Sequence, residues 1–108
     1  MSEKQIYHKL VRDKIPEIIR DDGKTCLCET LSQEEHLRCL DEKLNEELTE
    51  YQESKSLEEL ADLLEVMMAV VKARGYTWEQ LTALCEKKRE ERGGFDKKIL
   101  LKEVHDPK

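Results

Sequence analysis

Apolar residues in the middle of the chain recur every three or four positions, which is the spacing of one face of an α-helix. The first series consists of Leu37, Leu40, Leu44, Leu48 and Tyr51. Ser32 and Glu35 precede it with the spacing of a capping box, in which each side chain binds the other residue's backbone N–H. The pattern predicts an amphipathic helix of about 22 residues that begins after Ser32.

A second helix is predicted from residue 57 to residue 74, between the possible capping box of Ser56 with Glu59 and the helix-ending residue Gly75. One face of this helix is apolar and carries Leu57, Leu60, Ala61, Leu64, Met67, Met68 and Val71. The opposite face is also largely apolar and carries Leu63, Val66, Ala69 and Val70. A helix of this kind is expected to be surrounded by protein, so we expect a homodimer or a higher homo-oligomer.

Two further helices and a short β element are predicted outside this central region. Pro16 suits the first turn of a short helix at residues 15–20, and Thr77 with Gln80 can cap a helix at residues 78–92. Residues 25–30 and 99–104 are β-compatible and are expected to pair as a minor hairpin-like element. The sequence therefore predicts an all-α bundle of about four helices in a single domain, residues 1–108.

The charge balance narrows the classes of partner. A net charge of −6 argues against non-specific binding to nucleic acid or to an anionic membrane, since both need a basic surface. No apolar run reaches the roughly 20 residues that span a bilayer, and residues 1–5 lack the apolar core of a signal peptide. We expect a cytoplasmic protein that binds neither nucleic acid nor membrane.

Four cysteines are present, and without a secretion signal they are expected to be reduced thiols. Cys26 and Cys28 would point to the same face of the predicted strand at residues 25–30. Two interpretations stay open for this pair. The cysteines are either small residues of a partly buried strand or the basis of a redox or zinc site.

Two acidic pairs lie at mirrored positions on either side of a predicted helix break at residues 54–56. Glu47 and Glu50 precede the break, and Glu59 and Asp62 follow it. Because residues three apart lie on one helix face, an antiparallel hairpin would bring the four carboxylates together. Clustered carboxylates repel one another unless cations neutralise them, and hard oxygen ligands select Mg²⁺ or Mn²⁺. The sequence therefore predicts a divalent metal site.

Structural explanations compete with the metal site, because acidic residues on helices are commonly solvated and Glu59 can serve as the reciprocal cap of Ser56.

Magnesium held by a few carboxylates binds substrate phosphates and activates water, which favours phosphoanhydride hydrolysis. Glu46 and Glu47 are the candidate catalytic carboxylates that would orient or deprotonate the attacking water.

Residues 43–50 (KLNEELTE) and 59–64 (ELADLL) resemble the acidic motifs of the all-α nucleoside triphosphate pyrophosphatases. That superfamily includes MazG, the dimeric dUTPases and phosphoribosyl-ATP pyrophosphohydrolase. The resemblance implies that the Mg²⁺ ligands are Glu47, Glu50, Glu59 and Asp62. It also implies cleavage between the α- and β-phosphates, which gives a nucleotide monophosphate and pyrophosphate.

Two more stretches, residues 9–16 (KLVRDKIP) and 92–95 (RGGF), are similar to a small stand-alone MazG-like subgroup. The gap at residues 51–58 is shorter than in better-known relatives, which implies a tighter hairpin and a different pocket. We expect house-cleaning hydrolysis of noncanonical nucleotides. The alternatives are phosphoribosyl-ATP pyrophosphohydrolase activity and, from another class, a non-catalytic acidic helical interaction module.

Basic residues near both ends of the chain are candidates for binding substrate phosphates, because they would offset the substrate's charge. The candidates are Lys9, Arg12, Lys14, Lys88 and Arg92. Lys97 and Lys98 add two further positive charges after Arg92. Residues 87–92 also have the alternating charges of an exposed helix face, which is the simpler interpretation of that segment.

Overall fold

The computed structural model describes residues 8–107. Its helices are α1 (Ile15–Asp21), α2 (Gln33–Ser54), α3 (Leu57–Ala73) and α4 (Trp78–Arg92). The described residues contain no strand, so the prediction of an all-α protein with four helices is confirmed. Across the same part of the chain, every helix is too short or too polar to pass through a lipid bilayer.

The predicted β element is wrong, because residues 25–30 and 99–104 adopt no regular secondary structure. Their apolar side chains are exposed: Leu27 is 101% exposed, and Ile99 and Leu101 are 80% and 74% exposed. Short strands are marginal in water unless one face is buried. The β-compatible residues of these two segments therefore form no strand, because their apolar side chains are not buried against the rest of the chain.

The chain divides into two compact units, with the bounds Met1–Tyr76 and Thr77–Lys108. The first unit contains α1, α2 and α3, and the second contains α4. In the second unit, Thr77 and Gln80 form the expected capping box, and the helix ends at Gly93, whose φ of 83° suits a glycine.

The first unit is built on an antiparallel hairpin of α2 and α3. Ser32 and Glu35 form the predicted capping box at the start of α2. Lys55 ends α2 in the left-handed conformation, with φ 56°, and its N–H donates to the Tyr51 carbonyl at 2.7 Å. Between the two helices the chain has only Lys55 and Ser56, so the hairpin is as tight as the short gap predicted.

The hairpin has a small buried core and polar contacts between its helices. Leu40 of α2 and Val66 of α3 are buried, with 3% and 9% exposure. At the end of the hairpin away from the turn, Arg74 binds Asp41 at 2.9 Å, and the Gln33 side chain donates to the Ala73 carbonyl at 3.1 Å. The hairpin therefore has a thin apolar core that is closed by polar contacts at its open end.

One face of α3 carries large apolar side chains that are partly or largely exposed. Leu57 is 81% exposed, and the others in this set are between 39% and 45% exposed. The set, which we call the α3 stripe, is Leu57, Leu60, Leu64, Met67 and Met68. Exposed apolar patches of this kind commonly mark protein–protein contacts.

Candidate metal centre

Three glutamates meet near the turn of the hairpin. Glu47 and Glu50 come from α2 and Glu59 comes from the first turn of α3. One carboxylate oxygen from each lies within 4.8 Å of the other two. Glu47 is buried, with 6% exposure, and the other two are half-buried. The hairpin therefore brings together three of the four predicted ligands.

Two oxygens of this cluster are buried without a hydrogen-bond partner. They are Oε2 of Glu47 and Oε2 of Glu59. A buried carboxylate oxygen that has lost its water and gained no donor destabilises a fold. Either a proton or a cation would supply the partner that these two oxygens lack.

The local structure of the turn leaves the Glu59 carboxylate available. Ser56 caps α3 by accepting the Glu59 N–H at 3.3 Å, as its spacing predicted. The reciprocal bond is absent, because the Ser56 N–H donates to the Ser54 hydroxyl at 3.2 Å instead. In α2 and α4 the corresponding Glu35 and Gln80 side chains are engaged in their caps. The Glu59 side chain therefore does not cap the start of α3, although its spacing from Ser56 allowed that interpretation.

The cluster raises the pKa values of two of its members. Burial raises the pKa of Glu47, and Glu50 raises it further, while Lys43 acts in the opposite direction. Loss of water also raises the pKa of Glu59, and the charges of Glu50 and Asp62 add to the effect. Both shifts have the sign expected for carboxylates that are crowded and partly removed from water.

In EDTA, the protein is expected to become more stable as the pH is lowered through the range just above 4.5, the usual pKa of these glutamates. Raised pKa values mean that the folded state binds more protons there, so the free energy of unfolding falls as the pH rises. Glu46 has a lowered pKa, so its stabilising contribution is lost only at lower pH. Urea unfolding at several pH values measures this slope.

The control for this prediction is Glu47→Gln combined with Glu59→Gln, which removes both titrating groups. In the double variant the free energy of unfolding should change less between pH 4.5 and 7 than in the wild type. Parallel pH profiles for the two proteins would show that the cluster does not destabilise the fold.

The fourth predicted ligand, Asp62, is held by an arginine. Its Oδ1 accepts from Nη2 of Arg12 at 2.8 Å, and Nη1 of Arg12 lies 3.8 Å from Glu65. Lys9 binds Glu46 at 3.3 Å. Two predicted substrate contacts, Lys9 and Arg12, thus neutralise acidic residues of the hairpin.

Glu46 stands beside the cluster and is paired with two ammonium groups. Burial acts to raise its pKa, but the hydrogen bonds and charges of Lys43 and Lys9 outweigh it and hold the pKa below the usual value. Glu46 is therefore ionised at neutral pH. Its neighbour Glu47, the other candidate catalytic carboxylate, belongs to the cluster itself.

Lys43 is a contact that sequence reasoning missed. Its Nζ lies 3.3 Å from Glu46 and 3.6 Å from Glu47, and its side chain is only 18% exposed. The sequence contains a signal for these ion pairs, because Lys43 precedes the two glutamates by three and four residues, which is the spacing of ion pairs along a helix. Lys43 partly offsets the negative charge at this end of the hairpin.

The other predicted substrate contacts are Lys14 in the first unit and Lys88 and Arg92 in the second. Lys14 is exposed immediately before α1, and Lys88 and Arg92 are exposed on α4 in the second unit. Cys26 and Cys28 have their sulfurs 3.9 Å apart in an irregular segment. Within residues 8–107, neither cysteine joins a group of three potential metal ligands.

A stretch of 42 residues is 52% identical to an uncharacterized protein of Mycolicibacterium smegmatis, covering 39% of this chain and 43% of that protein. The match thus spans less than half of the relative's length. No family model and no solved structure matches the chain.

Proposed function

We propose that this protein is a Mg²⁺-dependent nucleotide pyrophosphohydrolase, which cleaves the α–β phosphoanhydride of a noncanonical nucleoside triphosphate to a monophosphate and pyrophosphate. The observation that carries the proposal is the cluster of Glu47, Glu50 and Glu59 with two buried, unpartnered carboxylate oxygens. The test is Mg²⁺-dependent release of pyrophosphate from a panel of nucleotides.

The donor set of this cluster fits magnesium. All of the candidate ligand atoms are carboxylate oxygens, which are the hard ligands that Mg²⁺ and Mn²⁺ prefer. Both ions bind with some water or substrate oxygens retained, so a site with three protein ligands leaves room for phosphates. Glu47, Glu50 and Glu59 would hold the ion, with Asp62 joining them when Arg12 withdraws.

A bound divalent ion would supply charge neutralisation for the phosphates and would lower the pKa of a coordinated water. The carboxylate of Glu46, ionised and adjacent to Glu47, is the proposed group that orients the attacking water and receives its proton. The water oxygen forms a bond to phosphorus as the bridging P–O bond breaks, and pyrophosphate leaves. Lys9 and Lys43, which hold Glu46, are positioning residues.

The alternative of another class is a non-catalytic acidic module, and the internal ion pairs of Arg12, Lys9 and Lys43 are compatible with it. Cation binding and nucleotide hydrolysis are separate properties, so each needs its own measurement. The module predicts no turnover of any nucleotide, whether or not Mg²⁺ binds. Phosphoribosyl-ATP belongs in the substrate panel, since it distinguishes the alternative within the same class.

We also propose that the α3 stripe is covered by a second copy of the chain. Leu64 and Met67 lie near the middle of the stripe and are 45% and 40% exposed. Leu64→Glu is expected to convert an oligomer to a monomer, because it would place a charge in an apolar interface. Light scattering coupled to size-exclusion chromatography measures the mass.

The matched control is Leu84→Glu on α4, a similarly exposed leucine outside the stripe, which should leave the mass unchanged. Circular dichroism checks that both variants keep their helices. A wild type that is already monomeric, or an unchanged mass for Leu64→Glu, would contradict the proposed interface.

A further inference from the structure

The loop before α1, residues 8–14, carries cations that are bound to acidic residues of the hairpin. We call this segment the basic loop. Arg12 spans two carboxylates of α3, at 2.8 Å from Asp62 and 3.8 Å from Glu65. Lys9 reaches Glu46 of α2 at 3.3 Å. Two predicted phosphate-binding residues are thus bound to the acidic residues around the proposed metal centre.

Asp62 lies one helical turn beyond Glu59, and its carboxylate is bound to Arg12. It follows Glu59 by three residues and so lies on the same face of α3. Its charge acts on both Glu47 and Glu59, after the larger effects of burial and Glu50, and helps to raise their pKa values. Asp62 is not among the three residues whose oxygens lie within 4.8 Å of one another, so its carboxylate would have to leave Arg12 before it could share a cation with the glutamates.

We propose that Arg12 is an internal counter-cation that competes with the metal ion for Asp62, and that metal binding releases its guanidinium to bind the substrate's phosphates. The inference rests on the proposed function. It assigns to one residue two successive partners, first a carboxylate of the protein and then a phosphate of the nucleotide. Both partners offer the paired oxygens that a guanidinium binds in a planar fork.

Exposure makes the exchange feasible. The side chains of Arg12 and Asp62 are 56% and 36% exposed, so water screens the pair and the ion pair is weak. A divalent ion with several carboxylate ligands is a stronger partner for Asp62. Metal binding is expected to come before the release of Arg12, because the divalent ion then neutralises the carboxylate charge that Arg12 neutralised before.

The test is calorimetric titration of Mg²⁺ into the wild type, Arg12→Gln and Arg74→Gln. Removing the competitor should tighten Mg²⁺ binding by about two- to fivefold in Arg12→Gln. Arg74→Gln is the matched control, because Arg74 binds Asp41 at 2.9 Å at the other end of the hairpin. It loses the same charge and should keep the wild-type affinity.

Nucleotide kinetics provide a second measurement, in which Arg12→Gln should weaken binding of the nucleotide while it strengthens binding of Mg²⁺. If released Arg12 binds phosphate, Arg12→Gln should raise the KM for the nucleotide even though it binds Mg²⁺ more tightly. An arginine that only stabilises the fold would not separate these two quantities. An unchanged KM would overturn the second half of the proposal.

A third measurement needs no substitution. Hydrogen exchange of the wild-type protein should become faster in the basic loop when Mg²⁺ is added, while residues around Glu47 and Glu59 become more protected. Slower exchange in the loop would overturn the release.

The outcomes separate this inference from the proposed function. If the wild type binds Mg²⁺ and Arg12→Gln binds it equally or more weakly, competition is overturned and the metal site stands. If neither protein binds Mg²⁺, both proposals fail. If only Arg12→Gln binds Mg²⁺, competition is supported in its strongest form.

Discussion

Magnesium is expected to raise the melting temperature of the intact protein, and Glu59→Gln is expected to remove that effect. A ligand at 100 times its Kd stabilises the folded state by about 2.7 kcal/mol, which corresponds to roughly 10 °C for a domain of this size. Glutamine keeps the shape of glutamate and removes the charge that binds the ion. Differential scanning fluorimetry with and without Mg²⁺ measures the shift.

Glu58→Gln is the matched control. Glu58 is exposed in the same first turn of α3, so its substitution removes the same charge from the same helix terminus. The Mg²⁺ shift should survive in Glu58→Gln. In EDTA, Glu59→Gln should also be more stable than Glu58→Gln, because it removes the repulsion of Glu59 by Glu50 and Asp62, whereas Glu58→Gln removes only the smaller repulsion of Glu59 by Glu58. If Mg²⁺ leaves the melting temperatures of both the wild type and Arg12→Gln unchanged, the proposed metal site is overturned.

Turnover of a nucleotide should fall by at least about 100-fold in kcat/KM when Glu50 is replaced by glutamine. Glu50 comes from α2, and one of its carboxylate oxygens lies within 4.8 Å of an oxygen of Glu47 and an oxygen of Glu59. Losing it should weaken metal binding and misplace the phosphates together. The panel should include dUTP, dCTP, oxidised and methylated nucleotides and phosphoribosyl-ATP.

The assay must identify products as well as rates. Cleavage at the α–β bond gives pyrophosphate and a monophosphate, whereas cleavage at the β–γ bond gives orthophosphate and a diphosphate. Anion-exchange chromatography separates these pairs, and EDTA should abolish both signals. Glu53→Gln, an exposed charge on the same helix, should retain activity within about twofold. Magnesium binding without turnover of any nucleotide would favour the non-catalytic module.

The helices could be predicted from sequence because their signals are local. The predicted segment at residues 78–92 coincides with α4, and the predicted segment at 57–74 differs from α3 by one residue. Apolar periodicity and capping spacings act within a few residues of the positions they specify. The convergence of Glu47, Glu50 and Glu59 followed from the same rules, since a short turn between two helices fixes their register.

Other features depend on contacts between distant parts of the chain. Arg12 and Asp62 are 50 residues apart in sequence, so periodicity gives no sign that they pair. The two interpretations of Glu59, as cap or as ligand, were equally consistent with its spacing from Ser56. The structure rules out the reciprocal cap, because the Ser54 hydroxyl accepts the Ser56 N–H. Residues 25–30 failed as a strand because a β-compatible composition says nothing about available partners.

The connection between α2 and α3 consists of Lys55 and Ser56, with Lys55 in the left-handed conformation. Each residue added to this connection would rotate α3 by about 100° about its own axis unless the loop absorbed it. The helices would still form, but Glu59 would leave the side of α3 that faces Glu47. The number of residues in this connection therefore matters more than their identity, and only insertions that restore the helical phase would keep the three glutamates together.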